Sequence, residues 1–149
     1  NARTISPCTT IFAIPPNHHI FKCQIPKSTM IQCSIFEYLY RDASNYKSWG
    51  TLILCGSATA ADIQILQEKF ESGIFFIAEQ LGIPPLYAEL WQFSNGPSVD
   101  DHAWHSFHAL RPATDEDAKE PIFASVQSLV AKISAVQQWN PELSPHWDI

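Results

Sequence analysis

The densest group of chemically capable side chains is Asp100-Asp101-His102-Ala103-Trp104-His105-Ser106-Phe107-His108. Imidazole nitrogens and carboxylate oxygens are the usual ligands of zinc and iron, and both serve as general acids and bases. Spacing limits what this run can do. On a strand, His102 and His108 share one face and His105 points to the other. Two of the three imidazoles can therefore converge, and Asp100 with His102 and His108 is the only metal set worth naming. No distant His or Cys completes a known metal spacing. The competing reading is a partly buried strand whose histidines bond to their neighbours while Trp104 and Phe107 pack.

A second cluster is Tyr40-Arg41-Asp42-Ala43-Ser44-Asn45-Tyr46-Lys47-Ser48-Trp49-Gly50. Arg41 and Lys47, flanked by Tyr46 and Trp49, could hold an anionic or aromatic ligand by charge and stacking. The plainer reading is a hairpin whose Asp42 and Asn45 organise the turn. Gly56-Ser57-Ala58-Thr59 precedes a helix start, a place where backbone N–H groups can hold phosphate. It lacks the glycine-rich nucleotide fingerprints, so a plain helix cap is expected. GxSxG is absent and no Cys stands beside an obvious His, which leaves nucleophilic hydrolysis without a candidate. No cofactor is expected.

Two of these segments resemble a set of small uncharacterised bacterial proteins. The likeness rests on Tyr40–Gly50, on Asp101–Phe107, and on Phe75-Phe76-Ile77-Ala78-Glu79-Gln80-Leu81-Gly82-Ile83-Pro84 between them. It covers about residues 31–115 and leaves the first 30 outside. It implies no activity, but it favours both polar clusters as candidate sites: Arg41, Asp42, Tyr46, Lys47 and Trp49 in one, Asp101, His102, Trp104 and His105 in the other.

The elements that must position these residues read as α+β. Ile31–Tyr40 and Ser48–Cys55 are strands, with Arg41–Lys47 as the turn. Thr59 and Asp62 form a capping box for a helix carrying Ile63, Leu66 and Phe70, with Gly73 as its stop. Ile74–Ala78, Leu86–Phe93 and His102–Leu110 read as further strands, and Ser94-Asn95-Gly96-Pro97 as a turn. A last helix is expected from a Thr114 cap, with Asp115, Glu116 and Asp117 in its first turn and Pro121 close behind. Its apolar stripe is Ile122, Val126, Leu129, Ile133 and Val136. The expected architecture is a single two-layer domain, a mostly antiparallel sheet with two helices on one face, nearest to a ferredoxin-like sandwich.

Composition fixes the wider setting. The chain has 149 residues, 46% of them hydrophobic, in the ordinary range for one globular domain. About 68–70% of the unfolded surface is buried at this size, enough for a core without staples. All 15 acidic residues lie at or after Glu37, so residues 31–149 carry a net −9. Such a body repels phosphate backbones, and no nucleic-acid partner is expected. No apolar run of 18 residues exists, so no membrane partner is expected either.

Residues 1–30 differ: three bases, no acid, four of the 11 prolines, and Met30, the single Met, at their end. They read as an N-terminal arm or as sequence upstream of a natural start at Met30. Within them, 9–14 and 19–25 suggest a hairpin that must lean on the main sheet or on a neighbouring chain. Cys8, Cys23, Cys33 and Cys55 form no CxxC pair, and the first residues lack a secretory pattern. Reduced thiols in a cytoplasmic protein are expected. The leading expectation is a bacterial interaction domain, acting through a protein partner or as a homo-oligomer. The alternative is a metal- or acid/base-dependent enzyme, or a small-ligand-binding protein, using Asp100–His108.

Overall fold

The computed structural model describes residues 32–145. The expected hairpin at 9–14 and 19–25 lies outside them. Five strands form one sheet in the order β3-β4-β1-β2-β5. They are β1 (Cys33–Arg41), β2 (Lys47–Cys55), β3 (Phe75–Ile77), β4 (Trp104–Pro112) and β5 (Ile122–Ser125). Four α-helices accompany them: α1 (Ala60–Lys69), α2 (Ala78–Leu81), α3 (Tyr87–Ser94) and α4 (Val126–Ser134). Three of the strand pairings are antiparallel, and β2 with β5 is parallel.

The hairpin β1–β2 follows the alternation of its side chains, broken only where Ile35 and Ile53, partners on the outer face, are also buried. Ser34, Phe36, Tyr38 and Tyr40 are all buried on one face, while Glu37 and Leu39 on the other are half-buried. Leu52, Leu54, Phe76, Phe107 and Leu110 join the inward set, and all four helices add residues to the same core. Leu66 comes from α1, Leu81 from α2, Tyr87 from α3, and Val126, Leu129 and Ile133 from α4.

Tyr38 shows how tightly this core is fixed. Its hydroxyl donates to the Pro84 carbonyl at 2.8 Å. A Cβ at Gly50 would lie 2.7 Å from its Cζ and 2.9 Å from Leu86 Cδ2. Gly50→Ala is therefore expected to destabilise the fold by about 1–3 kcal/mol, the usual cost of overpacking. Urea denaturation checks this, and a change below ~0.5 kcal/mol would show that Tyr38 is free to move.

Two expected elements are different in kind. Leu86–Phe93 is not a strand. Its residues form α3, closed by Asn95 in the left-handed conformation with φ 60°. Leu86, Leu90 and Phe93 stand at helical spacing, and this period wins over the short apparent alternation. The last helix does not start at Thr114. Thr114 N–H and Oγ do bond Asp117 Oδ2, both at 2.8 Å, but the turn propagates only as a 3₁₀ segment, Asp117–Lys119. Pro121 ends it, since it has no N–H to continue a helix. Ile122–Ser125 then pairs with β2, and α4 begins at Val126 under a Ser125–Ser128 capping box. Among the described residues there are thus four α-helices where two were expected. The Thr59–Asp62 capping box of α1 is present as read.

Candidate functional site

The polar residues of the Asp100–His108 run go to separate places. Asp101 is the organising group. Its Oδ1 accepts from the Tyr40 hydroxyl at 2.7 Å. Its Oδ2 accepts from Trp91 Nε1 at 3.1 Å and from Ser98 N–H at 2.8 Å. One carboxylate thereby ties β1, α3 and the loop before β4 together. The Tyr40 hydroxyl in turn accepts from His102 N–H at 3.0 Å. Burial, reinforced by the Asp101 carboxylate and partly offset by that N–H, pushes the Tyr40 phenol above its ordinary range.

His102 sits against Tyr40, with ring centres 5.2 Å apart. Its Nε2 is 2.8 Å from the Arg41 carbonyl, which can only accept, so Nε2 carries the proton. Its Nδ1 accepts from Trp104 N–H at 3.2 Å. Both ring nitrogens are thus committed to backbone groups. Arg41 and His102 do meet, and they line a small cleft of about 320 Å³ with Asp42, Asn45, Phe75 and Ser106.

His105 points into the core and is 0% exposed. Tyr38, Tyr40, Phe76 and Tyr87 surround its ring. Its Nε2 accepts from Leu86 N–H at 3.0 Å, fixing the proton on Nδ1, which has no hydrogen-bond partner of good geometry. Burial lowers its pKa to about 4, against a smaller opposing pull from the Ala103 backbone and with help from His102. His105 is a neutral core residue that holds the start of α3.

His108 lies on the outer face. A register shift between Glu37 and Tyr38 leaves it as the extra residue of β4, between partners of Glu37 and Tyr38. Its ring meets the half-exposed Trp49 edge to face, centres 4.9 Å apart. Asp100, His102 and His108 therefore do not converge, and among the described residues no three His, Cys, Asp or Glu side chains are grouped to hold a metal ion.

The Tyr40–Gly50 cluster also divides. Lys47 and Trp49 are exposed on the outer face, where Lys47 pairs in register with Arg41. Asp42 and Tyr46 turn the other way. Asp42 Oδ1 accepts from Tyr46 N–H at 2.8 Å, and Asn45 has a positive φ of 72°, so the hairpin turn is built by its own side chains. Ala43 N–H donates to the Asp100 carbonyl at 3.0 Å, and Ser44 Oγ donates to Asp100 Oδ2 at 2.7 Å. Trp104 lines a separate surface with Trp139 and Glu71.

These bonds create a cleft of about 360 Å³ between the β1–β2 turn, α3 and the loop before β4. Asp42, Asp100 and Asp101 supply its charge. Tyr46, Leu90, Trp91 and Phe93 supply its apolar wall. Tyr46 is 65% exposed and Phe93 79%. None of its lining residues is basic. Asp42, Tyr46, Asp100 and Asp101 are legible as candidates in the sequence, whereas Leu90, Trp91 and Phe93 are not, because their segment reads as a strand. The helical spacing of Tyr87 and Trp91, whose rings stack 5.2 Å apart, was the available signal.

No protein-family model, curated protein or solved structure matches this chain. Among the described residues, no helix is long and apolar enough to cross a membrane.

Proposed function

We propose that this protein is an interaction domain that takes a basic segment of a partner protein, presenting lysine or arginine side chains, into the cleft between Tyr46 and Phe93. The observation that carries the reading is the lining itself: three carboxylates beside exposed aromatic rings, with no cation among them. A lysine or arginine side chain satisfies both, by ion pairing with Asp42 and Asp100 and by lying against an aromatic face. Each of these carboxylates has an oxygen beyond the one used within the turn. Large exposed aromatics next to a cavity also mark protein-binding surfaces more than solvent-facing ones. The net −9 of residues 31–149 would draw a basic partner toward the domain.

A catalytic use of the same segment has less support. His102 spends both ring nitrogens on backbone groups, and His105 is sealed in the core. Packing of α1 on α4 fits a layer of helices over one face of the sheet, with the cleft at the turn end of β1 and β2. A cytoplasmic setting belongs to the same proposal, from the cysteine usage of the sequence.

Selection from a random-peptide library tests the reading. Peptides enriched on the wild-type domain should carry Lys or Arg. Their binding should fall about tenfold on the Asp42→Asn/Asp100→Asn variant, about 1.4 kcal/mol for two partly exposed ion pairs. Tyr46→Ser/Phe93→Ser should also lose them, while thermal melting stays close to wild type because both rings are exposed. Peptides that bind all three proteins equally, or self-association of the domain through this cleft, would overturn it.

A further inference from the structure

The far end of the β1–β2 hairpin carries a second chemical feature, independent of the cleft. Cys33 and Cys55 are register partners there. One step outward, Gly56 N–H donates to the Gln32 carbonyl at 2.7 Å. That bond marks 32 and 56 as a hydrogen-bonded pair. Antiparallel ladders alternate, so Cys33 and Cys55 form the neighbouring non-hydrogen-bonded pair. Facing Cα atoms in such a pair are about 4.5 Å apart, with their side chains at closest approach. Disulfides need Cα atoms about 4.4–6.8 Å apart, so the spacing lies at the tight end of what a bridge spans.

Both side chains leave the sheet on the same side. Ser34 and Leu54, their neighbours in register, point into the core. Cys33 and Cys55 therefore share the outer face, and each is half-buried rather than sealed, although Ile35 and Ile53 next to them on that face are buried.

We propose that Cys33 and Cys55 are a redox pair that closes a reversible cross-strand disulfide by exchange with a small disulfide of the glutathione type. One cysteine thiolate attacks the small disulfide, whose S–S bond breaks and releases one thiol. The second cysteine thiolate then attacks the mixed disulfide and releases the other thiol. The protein loses two protons and two electrons, which the small disulfide takes up as it is reduced to two thiols. The bridge would pin the point where β2 passes into α1. Ser34 Oγ already holds that point, donating to the Gly56 carbonyl at 2.8 Å and accepting from Ala58 N–H at 2.9 Å. A tight, partly exposed bridge of this kind belongs to the readily reduced class.

The test uses the full folded chain, with glutathione disulfide as the probe. After reaction, remaining thiols are alkylated, the chain is digested without reduction, and linked peptides are mapped by mass spectrometry. The Cys33 and Cys55 peptides should appear joined, two hydrogens lighter than their sum, and separate again with dithiothreitol. A Cys8→Ser/Cys23→Ser chain should give the same product. Cys55→Ser should instead leave Cys33 as a mixed disulfide with glutathione. Linkage of Cys33 to Cys8 or Cys23, glutathione on both residues without joining, or both thiols still alkylated would overturn the proposal.

Discussion

Replacing Asp101 with alanine is expected to lower the unfolding free energy by about 3 kcal/mol. The change strands three donors at once: the Tyr40 hydroxyl, Trp91 Nε1 and Ser98 N–H. Hydrogen bonds to a charged acceptor are worth about 1.5–3 kcal/mol each, and a fully buried donor left alone costs about 1–3 kcal/mol. Water can reach part of the half-buried site, which holds the total below the simple sum. The Tyr40 hydroxyl is the exception, because Tyr40 is 0% exposed. Asp101→Asn should cost less, about 2 kcal/mol. Its amide oxygen can still accept from Tyr40, but its NH₂ then faces the Trp91 and Ser98 donors. A urea midpoint lowered at constant slope would register both effects. A loss under 0.5 kcal/mol for Asp101→Ala would mean that this carboxylate does not hold the cleft together.

The second large effect is a pH dependence centred on His105. Its folded pKa is about 4, below the ordinary 6.5, because burial disfavours the imidazolium. Between these values the unfolded chain binds a proton that the folded chain refuses, so stability rises with pH across this window. The contribution is complete above pH ~6.5 and is lost progressively as pH falls toward ~4. The total is about 3 kcal/mol, at 1.36 kcal/mol per pH unit. His105→Gln keeps an acceptor for Leu86 N–H and cannot charge. It should flatten the profile across this window, even if its stability at neutral pH is lower. Asp117, held below the usual carboxylate range mainly by its Arg111 hydrogen bond, loses its contribution only as pH falls through more acidic values. An unchanged slope in His105→Gln between pH 4 and 6.5 would place the acid sensitivity elsewhere.

The strands and caps of the hairpin and of α1 were legible because local pattern and tertiary burial agree there. Alternation in Ser34, Phe36, Tyr38 and Tyr40 marks the inward face, and the Thr59–Asp62 pair marks the start of α1. The chain misleads where a local signal is real but does not propagate. Thr114 and Asp117 make their capping bonds, yet Pro121 stops the helix before it forms. Leu86–Phe93 is short enough for an apolar run to mimic alternation, although Tyr87 and Trp91 keep the helical spacing that α3 realises. In the histidine run, alternation does sort His105 inward from His108 outward, but His102 precedes β4 and is placed by its own backbone bonds, so the expected sharing of a face with His108 is not met. The cleft is legible in part. Its carboxylates stand in the two polar clusters, whereas Leu90, Trp91 and Phe93 of its apolar wall stand in α3.

The most direct measurement of the recognition site is an amide NMR titration of the domain with two matched peptides. One is acetyl-Gly-Lys-Gly-Arg-Gly-amide. The other replaces Lys with norleucine and Arg with citrulline, keeping shape and removing charge. The basic peptide should shift the Trp91 indole N–H and the Tyr46, Asp100 and Asp101 amides, and its binding should weaken with salt. The neutral peptide should bind at least several-fold more weakly. Equal shifts from both peptides, or shifts confined to the opposite face around Trp49 and His108, would contradict a cation-recognising cleft.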